Sequence, residues 1–254
     1  MKLFHRIRGE GHPVVLLHGL FGSADNLGAL ARALEEDYQV IAVDLRNHGR
    51  SDHADDMTYP LLAADVIELL DDLGLDEDVY LVGHSMGGKT SMQTALTIPE
   101  RIGKLVVLDI APVQYSHGHD SILAGMQAVS EKGAEGRKPA GEILKQFIDE
   151  PEIISFILTN WRKNKDGKWG WRLNLDAILD QHSNIMAGND GTPYLGPTLF
   201  VRGGTSNYIT ADHKDQILEL FPRATVRTVE GTGHWLHAEK PDMVNRIVKR
   251  FLSE

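Results

Sequence analysis

Short apolar runs alternate with stretches of helical periodicity, and this alternation limits the possible fold more than any other feature of the sequence. Runs rich in β-branched residues occupy 14–17, 40–43, 79–82 and 105–110. They are almost continuously apolar, as expected of strands that are buried on both faces. Apolar residues with helical spacing lie between them, at 26–34 and 60–73. Strands and helices in this order predict a mostly parallel central sheet with right-handed crossovers, flanked by helices.

The alternation stops after Ile110 and resumes near Pro197. Beyond Pro197 we predict strands at 198–201 and 224–229 and helices at 211–221 and 241–252. The segment between has no buried-strand signal, but it has helical fragments at 122–129, 141–148 and 151–160. We therefore predict a core formed by residues 1–111 and 197–254, with residues 112–196 inserted as a helical cap, or lid, over one end of the sheet.

Composition excludes several classes of protein. Lys and Arg number 26 and Asp and Glu 36, so the net charge of −10 weighs against a nucleic-acid partner, since an acidic chain repels phosphates. The absence of cysteine excludes disulfides, thiolate metal sites and a Cys nucleophile. No apolar run approaches the ~20 residues of a spanning helix, so we expect no stable membrane insertion. Charged residues lie too near the N-terminus for the apolar core of a signal peptide, which favours a cytoplasmic enzyme. An organelle protein from which the transit peptide has been removed would have the same sequence pattern.

The residues Gly83-His84-Ser85-Met86-Gly87-Gly88 follow the predicted strand 79–82 and precede a predicted helix at 89–98. A Gly-x-Ser-x-Gly sequence between a strand and a helix is typical of a nucleophile elbow, a strained turn that exposes the serine hydroxyl. The glycines leave room for the tight turn, and the N-terminus of the helix directs backbone N–H groups toward a developing anion. Ser85 is therefore the predicted nucleophile.

A serine hydroxyl needs a base within hydrogen-bond reach. His234 follows the predicted strand 224–229 in the sequence Gly231-Thr232-Gly233-His234, which places it at the same sheet edge as Ser85. His237, three residues later, is the alternative, but only His234 is flanked by a glycine turn. We predict that His234 is the general base.

Five motifs in this order resemble those of the α/β-hydrolases, over the whole length of the chain. The match is most specific to the YbfF-type bacterial esterases and their mitochondrial relatives. The motifs are His-Gly-Leu-Phe-Gly-Ser at 18–23, Asp-x-Arg-Asn-His-Gly at 44–49, Gly-His-Ser-Met-Gly-Gly-Lys at 83–89, Asp-Ile-Ala-Pro at 109–112 and Gly-His-Trp-x-His-Ala-Glu-Lys-Pro at 233–241. The resemblance implies an α/β-hydrolase fold with the cap inserted after the sixth strand, and a triad in the chain order Ser, acid, His.

The acid of the triad departs from the usual pattern of the family. Most members carry it after the seventh strand, where this chain has Ser206 and Asn207, and the next acid, Asp212, already belongs to the following helix. Asp109 ends the preceding strand, and some hydrolases of this fold take their acid from that position. A carboxylate in an apolar run needs a partner, and the Nδ1 atom of His234 is a suitable one. We predict Asp109 as the acid; a structural Asp that binds loop amides is the alternative.

The resemblance also implies an oxyanion hole. Its donors are expected to be the backbone N–H groups of Leu20 and Met86, with that of Phe21 as the alternative. The side chains of Phe21, His84 and Trp235 are expected to bind substrate. His18 is expected to pack the loop without a catalytic part.

Two further features are interpreted as structural. The sequence His117-Gly118-His119-Asp120 lacks the spacing of known zinc motifs, so we predict a polar loop and no metal. Lys89 could favour an anionic substrate, but we predict a surface lysine.

The sequence therefore predicts a serine carboxylesterase without a cofactor, acting on small-molecule esters of short to medium acyl chains. An acyl-CoA thioesterase, another serine hydrolase of this fold, and a slow-turnover receptor that retains the triad are the alternatives. A thioesterase would need cations for the CoA phosphates. The candidates for that role are Arg50, Arg137, Lys138, Arg162, Lys163 and Lys165.

Overall fold

A computed structural model describes residues 1–116 and 118–254. Its strands are β1 (His5–Arg8), β2 (His12–Leu17), β3 (Tyr38–Val43), β4 (Val79–His84), β5 (Ile102–Leu108), β6 (Trp161–Lys163), β7 (Trp169–Trp171), β8 (Thr198–Gly203) and β9 (Ala224–Val229). Its α-helices are α1 (Gly28–Leu34), α2 (Tyr59–Asp72), α3 (Met86–Thr97), α4 (Asp120–Glu131), α5 (Arg137–Leu144), α6 (Pro151–Leu158), α7 (Leu175–Asp180), α8 (His182–Ile185), α9 (Lys214–Leu220), α10 (Leu236–Glu239) and α11 (Pro241–Ser253).

Seven strands form one sheet in the order β1-β3-β2-β4-β5-β8-β9. All neighbours pair in parallel except β1 and β3, which are antiparallel. The predicted fold class, a mostly parallel sheet flanked by helices, is confirmed. The sequence did not reveal β1, because its residues alternate between charged and apolar and are only partly buried at the sheet edge.

Apolar side chains cover both faces of the sheet. Leu62 and Val66 of α2 and Met92 of α3 belong to one buried cluster. Leu30 of α1 and Val248 of α11 belong to the second, on the opposite face. Because both faces are covered, the strands read as continuous apolar runs, and α3 is itself buried from Met86 to Leu96. The parallel strands therefore end at a common carboxyl edge, where polar residues follow β4, β5 and β9.

The segment between β5 and β8 contributes no strand to the large sheet and contains α4 to α8. It follows the fifth strand among the described residues rather than the sixth, the position that the resemblance implied. The segment also has a short hairpin of β6 and β7, in which Trp161 pairs with Trp171. The strand β6 carries Arg162 and Lys163, and β7 has a glycine between its two tryptophans, so neither three-residue strand forms an apolar run in the sequence. Across residues 1–116 and 118–254, no helix combines the length and hydropathy required to cross a bilayer.

Candidate active site

Ser85 lies in a strained turn between β4 and α3. Its φ of 52° and ψ of −120° are unusual for a residue with a side chain, and such strain is typical of functional sites. A Cβ on Gly83 would lie 2.1 Å from the carbonyl oxygen of Gly87, and one on Gly87 would lie 2.2 Å from that of Leu17. Only glycine fits at these two positions. The helix begins at Met86, directly after the serine, rather than at residue 89 as predicted.

Asp109 follows β5 and is completely buried. Its Oδ1 accepts a hydrogen bond from the backbone N–H of Gly203 at 2.8 Å. Its Oδ2 accepts one from the hydroxyl of Ser206 and lies 2.8 Å from Nδ1 of His234. The carboxylate therefore has the partners that its burial requires. Asp212, by contrast, lies in an exposed turn over Ala211–His213.

His234 lies on the loop between β9 and α10 and connects the two other residues. Its Nδ1 faces Asp109, and its Nε2 lies 3.0 Å from Oγ of Ser85. A carboxylate can only accept, so Nδ1 carries the proton and Nε2 is left to accept the hydroxyl proton of the serine. The ring of Tyr208 stacks on that of His234 with centroids 4.0 Å apart. His237, the alternative base, packs against the ring of His84 instead, with centroids 4.3 Å apart.

Ser206 and Tyr208 are site residues that no motif in the sequence indicates. Both belong to the segment after β8, where the family usually carries its acid. Ser206 donates its hydroxyl to Asp109, and that hydroxyl also accepts the N–H of Tyr208 at 3.2 Å. A small hydroxyl residue at the position of the missing carboxylate was the available signal, since a serine there can reach an acid on the neighbouring strand.

The loop after β2 is held by two buried histidines. His48 accepts the backbone N–H of Phe21 at Nε2, at 3.1 Å, so the Phe21 amide is already engaged. The amide of Leu20 has no acceptor among the described residues, and that of Met86 is the first N–H of α3, which lacks an intrahelical partner. This arrangement favours Leu20 and Met86 over Phe21 as oxyanion donors. His18 accepts the N–H of Leu45 at 3.0 Å and so packs the loop, as expected.

Burial keeps several of these histidines neutral. It lowers the pKa of His18 to about 4 and that of His48 to about 3, and the pKa values of His84, His119 and His237 are lowered as well. Above pH 6.5, folded and unfolded chains are both neutral at these groups. Below pH 6.5, these histidines become protonated in the unfolded chain but stay neutral in the folded chain until the pH falls to their lowered pKa values.

We therefore expect the free energy of unfolding to fall as the pH drops from 6.5 toward 4. Each fully buried histidine contributes a slope of up to about 1.4 kcal/mol per pH unit. Urea unfolding at pH 7, 6 and 5, followed by circular dichroism, measures this slope. A free energy of unfolding that stays constant over this range would contradict the expectation.

A cavity of about 690 Å³ opens above Ser85. Residues from the segment between β5 and β8 and residues outside it both line this cavity, and they include Leu20, Phe21, His84, His119, Ile122, Glu150, Glu152, Ile153, Phe156, Trp235, His237 and Glu239. The three predicted substrate-binding side chains are therefore placed at the cavity. The Nε2 of His84 also lies 2.9 Å from the backbone oxygen of His234, so this ring holds the loop of the base. Met86 faces a separate side cavity of about 20 Å³.

Two further predictions concern Lys89 and the segment from His117 to Asp120. Lys89 is not a surface residue, because only 1% of it is exposed. The segment from His117 to Asp120 is described only in part, since His117 lies outside the described residues. His119 has its ring edge-on to that of Phe21, with centroids 5.8 Å apart. Within the described part of the chain, no three His, Cys, Asp or Glu side chains could jointly hold a metal ion.

Comparison with known proteins matches residues 14–247 to the alpha/beta hydrolase family. The chain belongs to this family. The hydrolase is 43% identical to the esterase YbfF of Escherichia coli over 95% of its own length and 93% of that protein. It is 42% identical to the sn-1-specific diacylglycerol lipase ABHD11 of Mus musculus, over 94% of its length and 80% of the relative.

A solved structure described as a marine microorganism esterase superposes on the hydrolase with a TM-score of 0.95. The two are 39% identical, and the match covers 98% of this chain and 99% of the other. The enol-lactonase from Burkholderia xenovorans LB400, at 21% identity, superposes with a TM-score of 0.76 over 99% of this chain and 96% of that one. The resemblance to YbfF-type esterases stated from the sequence motifs is confirmed.

Proposed function

We propose that the protein is a serine carboxylesterase that hydrolyses small-molecule esters of short to medium acyl chains through an acyl-enzyme. One observation carries the proposal: Asp109, His234 and Ser85 form a continuous hydrogen-bonded chain, with the Nε2 of His234 3.0 Å from the serine hydroxyl, at the floor of a cavity. Such a chain is the arrangement that activates a serine for acyl transfer.

The proposed reaction has two halves. Ser85 attacks the ester carbonyl while His234 takes its proton, and the oxyanion that forms accepts hydrogen bonds from the amides of Leu20 and Met86. His234 then gives the proton to the departing alcohol. In the second half His234 takes a proton from water, which attacks the acyl-enzyme, and then returns that proton to the oxygen of Ser85 as the carboxylic acid is released. Asp109 holds the imidazole in the required tautomer and stabilises its protonated form. The scheme needs no cofactor.

The cavity supports an ester with an apolar part. Leu20, Phe21, Ile122, Ile153 and Phe156 supply hydrocarbon to its wall. Apolar walls with a few polar groups at the reaction centre are common in small-molecule sites. The names of the relatives, an esterase and a diacylglycerol lipase, agree with ester chemistry.

The charge around the cavity weighs against an acyl-CoA substrate. Its lining includes Glu150, Glu152 and Glu239, and none of the cations proposed above for the CoA phosphates is among the residues that line it. Carboxylates in the lining repel the phosphates of CoA. Thioesterase activity is therefore the weaker candidate.

Labelling and turnover together test the proposal. A fluorophosphonate should label one site per chain, on the peptide that contains Ser85, and Ser85→Ala should remove the label. p-Nitrophenyl esters should be turned over repeatedly, and the acyl-CoA with the same acyl group about tenfold or more slowly. Labelling without repeated turnover would favour the receptor alternative, and faster turnover of the acyl-CoA would favour the thioesterase. Label at another residue, or none, would refute the assigned nucleophile.

A further inference from the structure

The cap is joined to the core by two segments, residues 112–115 and 186–190, which we call the neck. The two segments bind each other: the N–H of Tyr115 donates to the carbonyl of Met186 at 2.9 Å, and that of Asn189 donates to the carbonyl of Pro112 at 2.9 Å. The entrance to the cap and the exit from it therefore form one hydrogen-bonded unit. The attachment of this unit to the core is one of the contacts that set where the cap lies above the site, beside the hydrogen bonds that other cap residues form with the core.

Lys89 binds both segments of the neck. It lies on α3, one helical turn after Ser85, and its Nζ donates to the carbonyl oxygen of Val113 at 2.6 Å and to that of Ala187. The first carbonyl belongs to the segment that enters the cap and the second to the segment that leaves it. A single side chain thus connects the helix of the nucleophile to both ends of the cap.

The environment of this amine is unusual for a lysine. Its Nζ lies 5.4 Å from the centroid of the Tyr59 ring and 4.8 Å from that of Tyr115. Among the described residues no carboxylate lies within ion-pair distance of it, and burial lowers the pKa of Lys89 to about 7. Burying an amine costs free energy, and the carbonyls and ring faces offset only part of that cost. A buried lysine does not contribute to solubility. Its hydrogen bonds to the two segments of the neck explain why a lysine is present at this position.

The next turn of α3 holds the exit segment a second time. The Nε2 of Gln93 donates to the carbonyl of Asp190 at 2.9 Å. The Nδ2 of Asn189 donates to the backbone oxygen of Lys89 at 2.9 Å and to Oε1 of Gln93 at 3.1 Å. Two successive turns of the helix therefore fix the neck, and Lys89 is the member that reaches both of its segments.

We propose that Lys89 is a positioning residue, which fixes the cap relative to Ser85 and thereby sets the affinity for long acyl chains. The proposal rests on the ester hydrolysis proposed above. Ile122, Ile153 and Phe156 of the cap line the cavity, whereas Ser85 and Leu20 belong to the core. A short acyl group needs only the core residues. A long one also needs the cap residues, so its binding depends on where the neck holds them.

The test is Lys89→Met, which keeps length and helix propensity but removes both hydrogen bonds to the neck. The KM for p-nitrophenyl octanoate should rise about tenfold, the loss expected when roughly two methylene groups lose their apolar contacts. The KM for the acetate, the kcat for both esters and the rate of fluorophosphonate inactivation should stay within about twofold. Thr94→Val is the matched control, since the Thr94 hydroxyl donates to the carbonyl of Thr90 inside α3 and, among the described residues, to no group of the neck.

The possible outcomes separate this proposal from the proposed function. Folded Lys89→Met with an unchanged octanoate-to-acetate ratio of KM would overturn the positioning role. An equal loss of kcat on both esters, with slower inactivation, would also overturn it, because it would place the effect on the nucleophile. If Lys89→Met does not fold, Gln93→Leu decides, with a smaller rise of the octanoate KM expected and an unchanged KM counting against the proposal. If the fluorophosphonate does not label the wild-type chain, the proposed ester hydrolysis is refuted instead.

Discussion

Replacing His234 by alanine should lower kcat by about 10⁴- to 10⁶-fold, the range found when the base of a serine triad is removed. The reason is that, among the described residues, the hydroxyl of Ser85 forms a side-chain hydrogen bond with His234 alone. The ring of His84 binds the backbone oxygen of His234 instead, and that of His18 accepts the N–H of Leu45. Stopped-time assays with p-nitrophenyl acetate measure the change. Circular dichroism and thermal unfolding show whether the variant is folded.

The matched control for this variant is His237→Ala. His237 lines the same cavity and packs on His84, but it contacts neither Ser85 nor Asp109. Its kcat should stay within about tenfold of the wild type, since it removes packing and no proton acceptor. If the two variants lost activity equally, or if His237→Ala lost more, the assignment of His234 as the base would be wrong.

Asp109→Asn is the second variant with a large expected effect. An amide in this position can still accept the N–H of Gly203 through its oxygen, which keeps the local structure. Its NH₂ group then faces the Nδ1 of His234 and forces the proton onto Nε2, so the ring can no longer accept a proton from Ser85. We expect kcat to fall about 10⁴-fold, the size of this effect in serine proteases.

In Asp109→Asn the free energy of unfolding should change far less than kcat, and urea unfolding measures that free energy. Asp212→Asn is the control, because Asp212 is an exposed acid in the segment that follows β8, the region where the family usually carries its acid. That variant should keep its full kcat. Normal turnover by Asp109→Asn would instead identify Asp109 as a structural carboxylate that binds the amide of Gly203.

The parts of the fold that the sequence predicted are those with a strong physical signal. Buried parallel strands such as β4 are apolar on both faces, so each appears as a continuous run. The strands β1 and β6 carry charged residues, and β7 is a three-residue strand with a central glycine. All three lie at a sheet edge or in the segment between β5 and β8, so neither propensity nor periodicity indicates them. Their pairing depends on tertiary contacts, as with the contact of Trp161 and Trp171.

The residues of the site also fall into two groups, those that a local motif indicates and those that it does not. Ser85 and His234 stand in local motifs whose glycines are needed for the turns, and local motifs can be recognised in a sequence. Ser206 and Lys89 act through long-range contacts, with an acid on the neighbouring strand and with carbonyls of the neck. Spacing along the chain does not encode such contacts. The sequence predicts an exposed Lys89 because a lysine on a helix usually is exposed, whereas the position of α3 beneath the neck explains its burial.

The placement of the acid after β5 has a consequence for how activity arises during synthesis. Ser85 and Asp109 end two strands that pair directly with each other, so a nascent chain can bring the nucleophile and the acid together before the cap is translated. The base follows β9, the last strand of the sheet to leave the ribosome. If His234 is the base, as proposed above, ester hydrolysis requires that this C-terminal strand has docked, and a truncated chain that ends before β9 should be inert toward esters.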